Sequence, residues 1–215
     1  VPKMLQNDMS IECVLGVDEA GRGPVLGPMV YGLYYLPLSM HRSLLADTHH
    51  FDDSKVLSPA VRSSLMQAIC TPGTDLYESS GWATRVMSAK DISSAQMRPT
   101  ATYNLNAQAM DATIDLIHAV FALGVNLKEI YIDTIGQPAA YQKKLERIFP
   151  TVNITVAKRP IRFTPVFPLP VSAQRSQEML PLKSATKSSR TPFRVTRMPK
   201  AGDLDTPVMP AVLLG

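Results

Sequence analysis

Three acidic side chains stand where phosphate chemistry would need them. Asp18 and Glu19 follow the apolar run IECVLGVD at residues 11–18, and Asp133 lies at the end of another short run, KEIYIDT at 128–134. An apolar run that ends in an acid reads as a buried strand reaching the rim of a sheet, and the strand ends of an open α/β sheet are where ligands bind. Carboxylates gathered there repel one another and lose hydration, so a cation is their natural companion. Oxygen donors suit a hard divalent ion, Mg²⁺ or Mn²⁺, which keeps waters and bridges phosphate oxygens; the chemistry implied is phosphate transfer rather than redox. The same acids have a plainer use as caps or acceptors for backbone N–H groups, and spacing alone leaves both uses open. The four histidines offer no rival centre. His49 and His50 read as part of a solvated polar loop before Asp52, with no third ligand at metal spacing, and His41 and His118 carry no signal.

The elements that must position these acids follow from periodicity and punctuation. After the first acids come a Gly/Pro-rich loop and a second apolar run, PMVYGLYYL at 28–36, so two buried neighbouring strands are expected. Ser58 before Pro59 is an N-cap with proline at the first helical position, and the helix it opens should run to about Ile69. Apolar residues recur at Leu105, Ala109, Ala112, Leu116, Val120 and Leu123, with Gly124 placed to end the longest helix, over 103–123. KEIYIDT then reads as a strand, Pro138 opens a helix to about Phe149, and VNITVA at 152–157 is a further strand. Strands alternating with helices predict an α/β layer architecture.

Composition sets the outer limits. A chain of 215 residues with 45% hydrophobic content can bury one sizeable core. Cys13 and Cys70 have neither CxxC spacing nor partner histidines, which fits a reducing, intracellular compartment. No apolar run is long enough to span a bilayer, so a soluble protein with no membrane partner is expected. The chain opens on Val1 rather than Met, as a fragment or a processed start would. The net charge of +4 invites a nucleic-acid reading, but its distribution does not support one for the folded part. Residues 1–158 hold 13 Lys and Arg against 15 Asp and Glu, whereas 159–215 hold 9 against 3. The basic excess lies wholly in the tail, so a nucleic-acid substrate has to be argued from motifs.

Those motifs exist. DEAGRGPVLGP at 18–28, DSK at 53–55, TYNLN at 102–106 and IDTIG at 132–136, in unbroken order over about residues 11–158, closely resemble the type 2 ribonuclease H family, above all the catalytic subunit of the eukaryotic enzyme. The resemblance implies a ribonuclease H-like fold, a central mixed sheet flanked by helices. It implies that Asp18, Glu19 and Asp133 are catalytic and hold Mg²⁺ or Mn²⁺ in a two-metal site. It places Lys55, Thr102, Tyr103 and Asn104 near the substrate strands, although a solvated lysine and a helix N-terminus explain those residues equally well. Gly21 and Gly23 let backbone approach a sugar-phosphate, the backbone groups flanking Arg22 can read a 2′-hydroxyl, and Arg22 itself can grip phosphate; a plain tight turn is the alternative. The implied reaction is hydrolysis on the 5′ side of a ribonucleotide, in RNA/DNA hybrids or in DNA containing ribonucleotides, leaving a 3′-hydroxyl and a 5′-phosphate. The resemblance also implies nuclear localisation and two accessory subunits.

After Lys158 the pattern changes. Nine of the 18 prolines fall in the last 57 residues, amid Ser, Thr, Lys and Arg without helical or strand period, and at face value this is an irregular, disordered basic tail. The family's corresponding stretch resembles KADSLYPVVSAASVCAKVTRD, whose last Asp supplies a fourth metal-site carboxylate. Here residues 158–179 read KRPIRFTPVFPLPVSAQRSQEM. Spelling 158–164 as AAG AGG CCG ATT CGC TTT ACC and inserting one A after the first codon yields Lys-Lys-Ala-Asp-Ser-Leu-Tyr. In the same frame, codons for 167–179 can be chosen to read Ser-Ala-Ala-Ser-Val-Cys-Ala-Lys-Val-Thr-Arg-Asp. The expectation is therefore a catalytic domain at 1–158, incomplete on its C-terminal side, followed by out-of-frame translation at 159–215. Glu178 and Asp203 are the nearest substitutes in sequence for the missing acid, and nothing fixes either in space. Weak metal binding and impaired activity follow, and the docking of accessory subunits through C-terminal parts is put in question. Two other readings stay open: a relative that binds hybrids without cutting, and an interaction protein whose basic tail contacts nucleic acid or acidic partners.

Overall fold

The apolar run before the first acids forms β1, Cys13–Ala20, the middle strand of a five-stranded sheet in the computed structural model. The structure describes residues 1–22, 27–49, 58–97, 103–133 and 137–157; the expected tail at 159–215 lies outside them. β1 pairs antiparallel with β2, Met29–Pro37, and β2 pairs antiparallel with β3, Gly81–Met87. On its other edge β1 pairs parallel with β4, Leu127–Asp133, which pairs parallel with β5, Asn153–Ala157. The order β3-β2-β1-β4-β5 makes the sheet mixed, as expected.

Alternation along β1 divides its side chains between two apolar layers. Leu15 and Val17 share a core with Ile130 and Ile132 of β4. That core is closed by Ala109, Ala112, Leu116, Ile117 and Val120 of α5, Leu105–Ala122, and by Leu145 of α6, Pro138–Ile148. Val14 points to the opposite face, into a smaller core with Tyr34, Leu36, Leu44, Leu45, Ile69 and Leu76. Every residue of β2 is buried, which is why its sequence is a continuous apolar run and not an alternating one.

The punctuation acts where the sequence places it. Ser58 accepts a hydrogen bond from the Val61 amide (3.3 Å) and opens α2, Pro59–Cys70. Gly124, at φ +82°, follows α5 and donates its N–H to the Phe121 carbonyl at 2.9 Å. Periodicity and punctuation do not reveal several elements: α1, Lys3–Asn7; a 3₁₀ turn and π-helix over Leu38–Met40 and His41–Thr48; α3, Asp75–Ser79; β3; and α4, Ala89–Gln96. Among the described residues no helix is long and apolar enough to cross a membrane.

Candidate functional site

β1 does not stop at Asp18. It continues through Ala20, which pairs with Val30 of β2, so Asp18 and Glu19 alternate to opposite faces of the sheet. The last registered pair of β1 and β4 is Val17 with Ile132. Continued by one residue, that register sets Asp18 beside Asp133 on adjacent parallel strands, whose spacing is about 4.8 Å, on the face that carries Val14. Gly32 of β2 lies opposite Asp18 and presents no side chain to it. One oxygen of Asp18 accepts a hydrogen bond from the Glu19 amide at 2.7 Å, the backbone-acceptor use that spacing leaves open. A carboxylate offers about four acceptor positions, so this bond does not exclude a second role.

Glu19 faces the α5 layer with a side chain only 11% exposed. Burial raises its pKa to about 7, and the like charges of Asp18 and Asp133 push the same way, against the opposing pull of Arg22. Arg22 Nη1 lies 3.7 Å from Glu19 Oε1, and its Nη2 donates to Asn106 Oδ1. Tyr31, registered beside Glu19 on β2, has its hydroxyl pKa pushed up by burial and then by the Glu19 charge. Tyr141 of α6 is pushed up to about 12 by burial, with Glu19 and Asp111 adding to the effect and a hydrogen bond with Thr113 opposing it. The helix-facing side of the strand end is therefore a polar layer in which Arg22 faces Glu19.

Gly21 turns the chain away from β1 at φ +86°, and a Cβ there would stand 2.5 Å from the Pro28 carbonyl oxygen. Both facts require glycine at this position. Tyr103 and Asn104 precede α5. The Tyr103 hydroxyl donates to Asp111 at 2.7 Å, and Asn104 Oδ1 accepts from the Ala107 amide at 3.0 Å, capping the helix. Asn104→Ala is expected to cost about 1 kcal/mol, or about 2–4 °C in a thermal melt, and Asn104→Ser, which keeps a capping oxygen, should recover it. If the serine variant recovers the melt but not hybrid affinity, the amide does more than cap.

Gly23, Lys55 and Thr102 lie outside the described residues, as does His50. His49 is not a free loop residue: its Nε2 is 2.7 Å from Asp75 Oδ2, which ties the end of the π-helix to the start of α3. Asn106 is the site residue that sequence reasoning misses. Its signal is its place in TYNLN, two residues past the cap, but its partner Arg22 is 84 residues away.

Among the described residues, no three His, Cys, Asp or Glu side chains form a closed group able to enclose a metal ion. The physical reason is the alternation that sends Glu19 to the face opposite Asp18 and Asp133. The donor set nevertheless fits a hard divalent cation in chemistry and in charge. All three candidates are carboxylates, and Glu19, its pKa raised first by burial and then by the charges of Asp18 and Asp133, is a group whose charged form a cation would favour.

The family model for Ribonuclease HII matches residues 15–162. The chain is 57% identical over 168 residues to a ribonuclease H2 subunit of Neurospora crassa, covering 77% of this chain and 53% of that one. It is 41% identical over 177 residues to the protein of the same name from Schizosaccharomyces pombe, covering 82% and 53%. It thus spans about half the length of the curated relatives it matches. In fold it is similar to the RNase HII of Archaeoglobus fulgidus, solved in a complex with PCNA, at a TM-score of 0.54 and 17% identity over 76% of this chain and 70% of that one. The match of the family model, together with these relatives, places the chain in the ribonuclease HII family.

Proposed function

We propose that the chain is the catalytic part of a type 2 ribonuclease H: an endonuclease that hydrolyses the RNA strand of RNA/DNA hybrids and cuts 5′ to ribonucleotides embedded in DNA. The observation that carries this reading is the register that carries Asp18 to the side of Asp133 on parallel neighbours, with the largely buried Glu19 in the field of both. Asp18, Glu19 and Asp133 would hold Mg²⁺ or Mn²⁺. When bound, two such ions stabilise the negative charge that develops on the attacking and leaving oxygens of a phosphodiester.

The chain's own residues do the rest. The Gly21 turn brings backbone close to a sugar-phosphate, and the backbone groups flanking Arg22, with Gly23 beyond, read the 2′-hydroxyl that separates RNA from DNA. Arg22, oriented by Asn106, grips a phosphate oxygen. Lys55, Thr102, Tyr103 and Asn104 line the path of the strands. Cleavage leaves a 3′-hydroxyl and a 5′-phosphate. Residues 159–215 are out-of-frame translation, and the chain as it stands lacks a fourth metal-site carboxylate and is impaired. The intact protein acts in the nucleus with two accessory subunits.

A second reading has one observation in its favour, the concentration of basic charge after Lys158: 9 Lys and Arg against 3 acids. On that reading the tail binds nucleic acid and the domain cuts nothing. The test is a duplex carrying one ribonucleotide, incubated with Mg²⁺ and a protein whose frame is restored after Lys158. A single incision on the 5′ side is expected, falling to background in Asp18→Asn. If the restored protein does not cut, while salt-sensitive binding disappears on deleting 159–215, the tail reading replaces this one.

A further inference from the structure

Beside the acidic strand ends, α5 and α6 enclose a cleft of about 380 Å³, within the size range of small-ligand sites. Arg22 and Asn106 line it, together with Gln137, which precedes α6, and Lys144 of α6. Ala109 and Ala140 also line it, two small side chains that let a ligand approach the helix backbones. Arg22 belongs to both places: it lies 3.7 Å from Glu19 and also lines the cleft, so whatever occupies the cleft is one side chain away from the candidate catalytic acids.

The cleft is built for an anion. Lys144 is exposed and forms no ion pair among the described residues. Arg22 is held by Asn106 and has five N–H donors in all. Gln137 makes no side-chain bond that caps α6, so its side chain does not satisfy the first N–H groups of that helix, and the helix dipole there favours negative charge. The neighbouring acids already have partners, Glu19 in Arg22 and Asp111 in Tyr103.

We infer that this cleft seats a backbone phosphate of the nucleic-acid substrate, a nucleotide or so away from the cut, with Lys144 and Arg22 as its counter-charges. The inference rests on the nuclease reading and adds to it a specific strand contact on α6. It is tested with the full 215-residue chain by fluorescence anisotropy on a short labelled RNA/DNA hybrid, titrated between about 50 and 200 mM KCl, without divalent metal. Lys144→Glu is compared with Lys143→Glu, the same charge change on the exposed residue next to it that does not line the cleft. Lys144→Glu should raise Kd about tenfold and lower the slope of log affinity against log salt by about one, while Lys143→Glu changes Kd less than about twofold. Equal effects from both variants mean that only overall charge is being sensed, and no effect from either means an empty cleft; each result overturns the inference. Lys144→Ala serves as the milder change if the charge reversal unfolds the protein. Running a DNA duplex of the same sequence alongside reads the nuclease proposal separately. Loss of the preference for hybrid counts against that proposal, and the contrast between Lys143 and Lys144 still decides the cleft.

Discussion

Inserting one adenine after the codon for Lys158 is expected to raise hybrid cleavage at least about a hundredfold over the 215-residue chain. A carboxylate that holds a catalytic divalent ion contributes several kcal/mol to the transition state, and each 1.36 kcal/mol is a factor of ten, so losing one such ligand costs two decades or more. The family model matches as far as residue 162. The measurement is single-turnover cleavage of a labelled hybrid by the two proteins side by side, after the transcript has been sequenced across Lys158. An extra base in the transcript makes the restored protein the natural one. A transcript matching the 215-residue chain, with equal turnover from both proteins, removes both the frameshift and the fourth carboxylate from the account.

The fold offers a place for such a carboxylate. On the face shared by Val14 and Asp18, the β2 half of the sheet is covered by Leu44, Leu45, Ile69 and Leu76. The β4–β5 half of the same face presents Glu129, Tyr131, Asn153 and Thr155, half-buried or exposed, and of these Tyr131 packs against that second core. The opposite face of these strands is closed by α5 and α6. A segment that reached the Val14 face and carried an acid would stand beside Asp18 and Asp133.

What can be read from the sequence is what local chemistry encodes. The strand that ends in Asp133, the cap at Asn104, the proline of α6 and the glycine after α5 all announce themselves within a few residues, and the structure uses each of them. β3 does not announce itself. GWATRVM is only partly buried along its length, so it carries neither a continuous apolar run nor clean alternation. Its Gly81 is required because a Cβ would stand 2.2 Å from the Tyr35 ring, a partner far away in sequence. The π-helix fills the second face with Leu44 and Leu45, adjacent residues that match no helical period. The site is legible in its acids but not in their orientation. Taking β1 to end at Asp18 hides the fact that Glu19 still belongs to the strand and faces α5, where Arg22 and Asn106 meet it.

That orientation leads to a prediction in which stability and activity move in opposite directions. Glu19→Gln should reduce cleavage by the frame-restored protein by about two to three decades, because a neutral amide is a poor ligand for a hard cation. In the 215-residue chain without metal, the same substitution should stabilise the fold at pH 8. The sign follows from proton linkage. The folded pKa of Glu19 is raised to about 7 from an ordinary 4.5, so below 4.5 the native and unfolded states both carry the neutral acid and the residue imposes no penalty. Between 4.5 and about 7 the unfolded chain loses its proton while the native state keeps it, and stability falls as pH rises. Above about 7 the penalty is complete, on the order of 1–3 kcal/mol for a side chain this little exposed. Thermal melts in EDTA should therefore place Glu19→Gln several degrees above the unsubstituted chain at pH 8 and level with it near pH 4.5. Mg²⁺ should narrow the gap at pH 8 by stabilising only the protein that keeps the carboxylate. A gap that does not change between these two pH values would mean that the Glu19 carboxyl feels neither its burial nor its acidic neighbours, and the case for a cation at these strand ends would lose its physical basis.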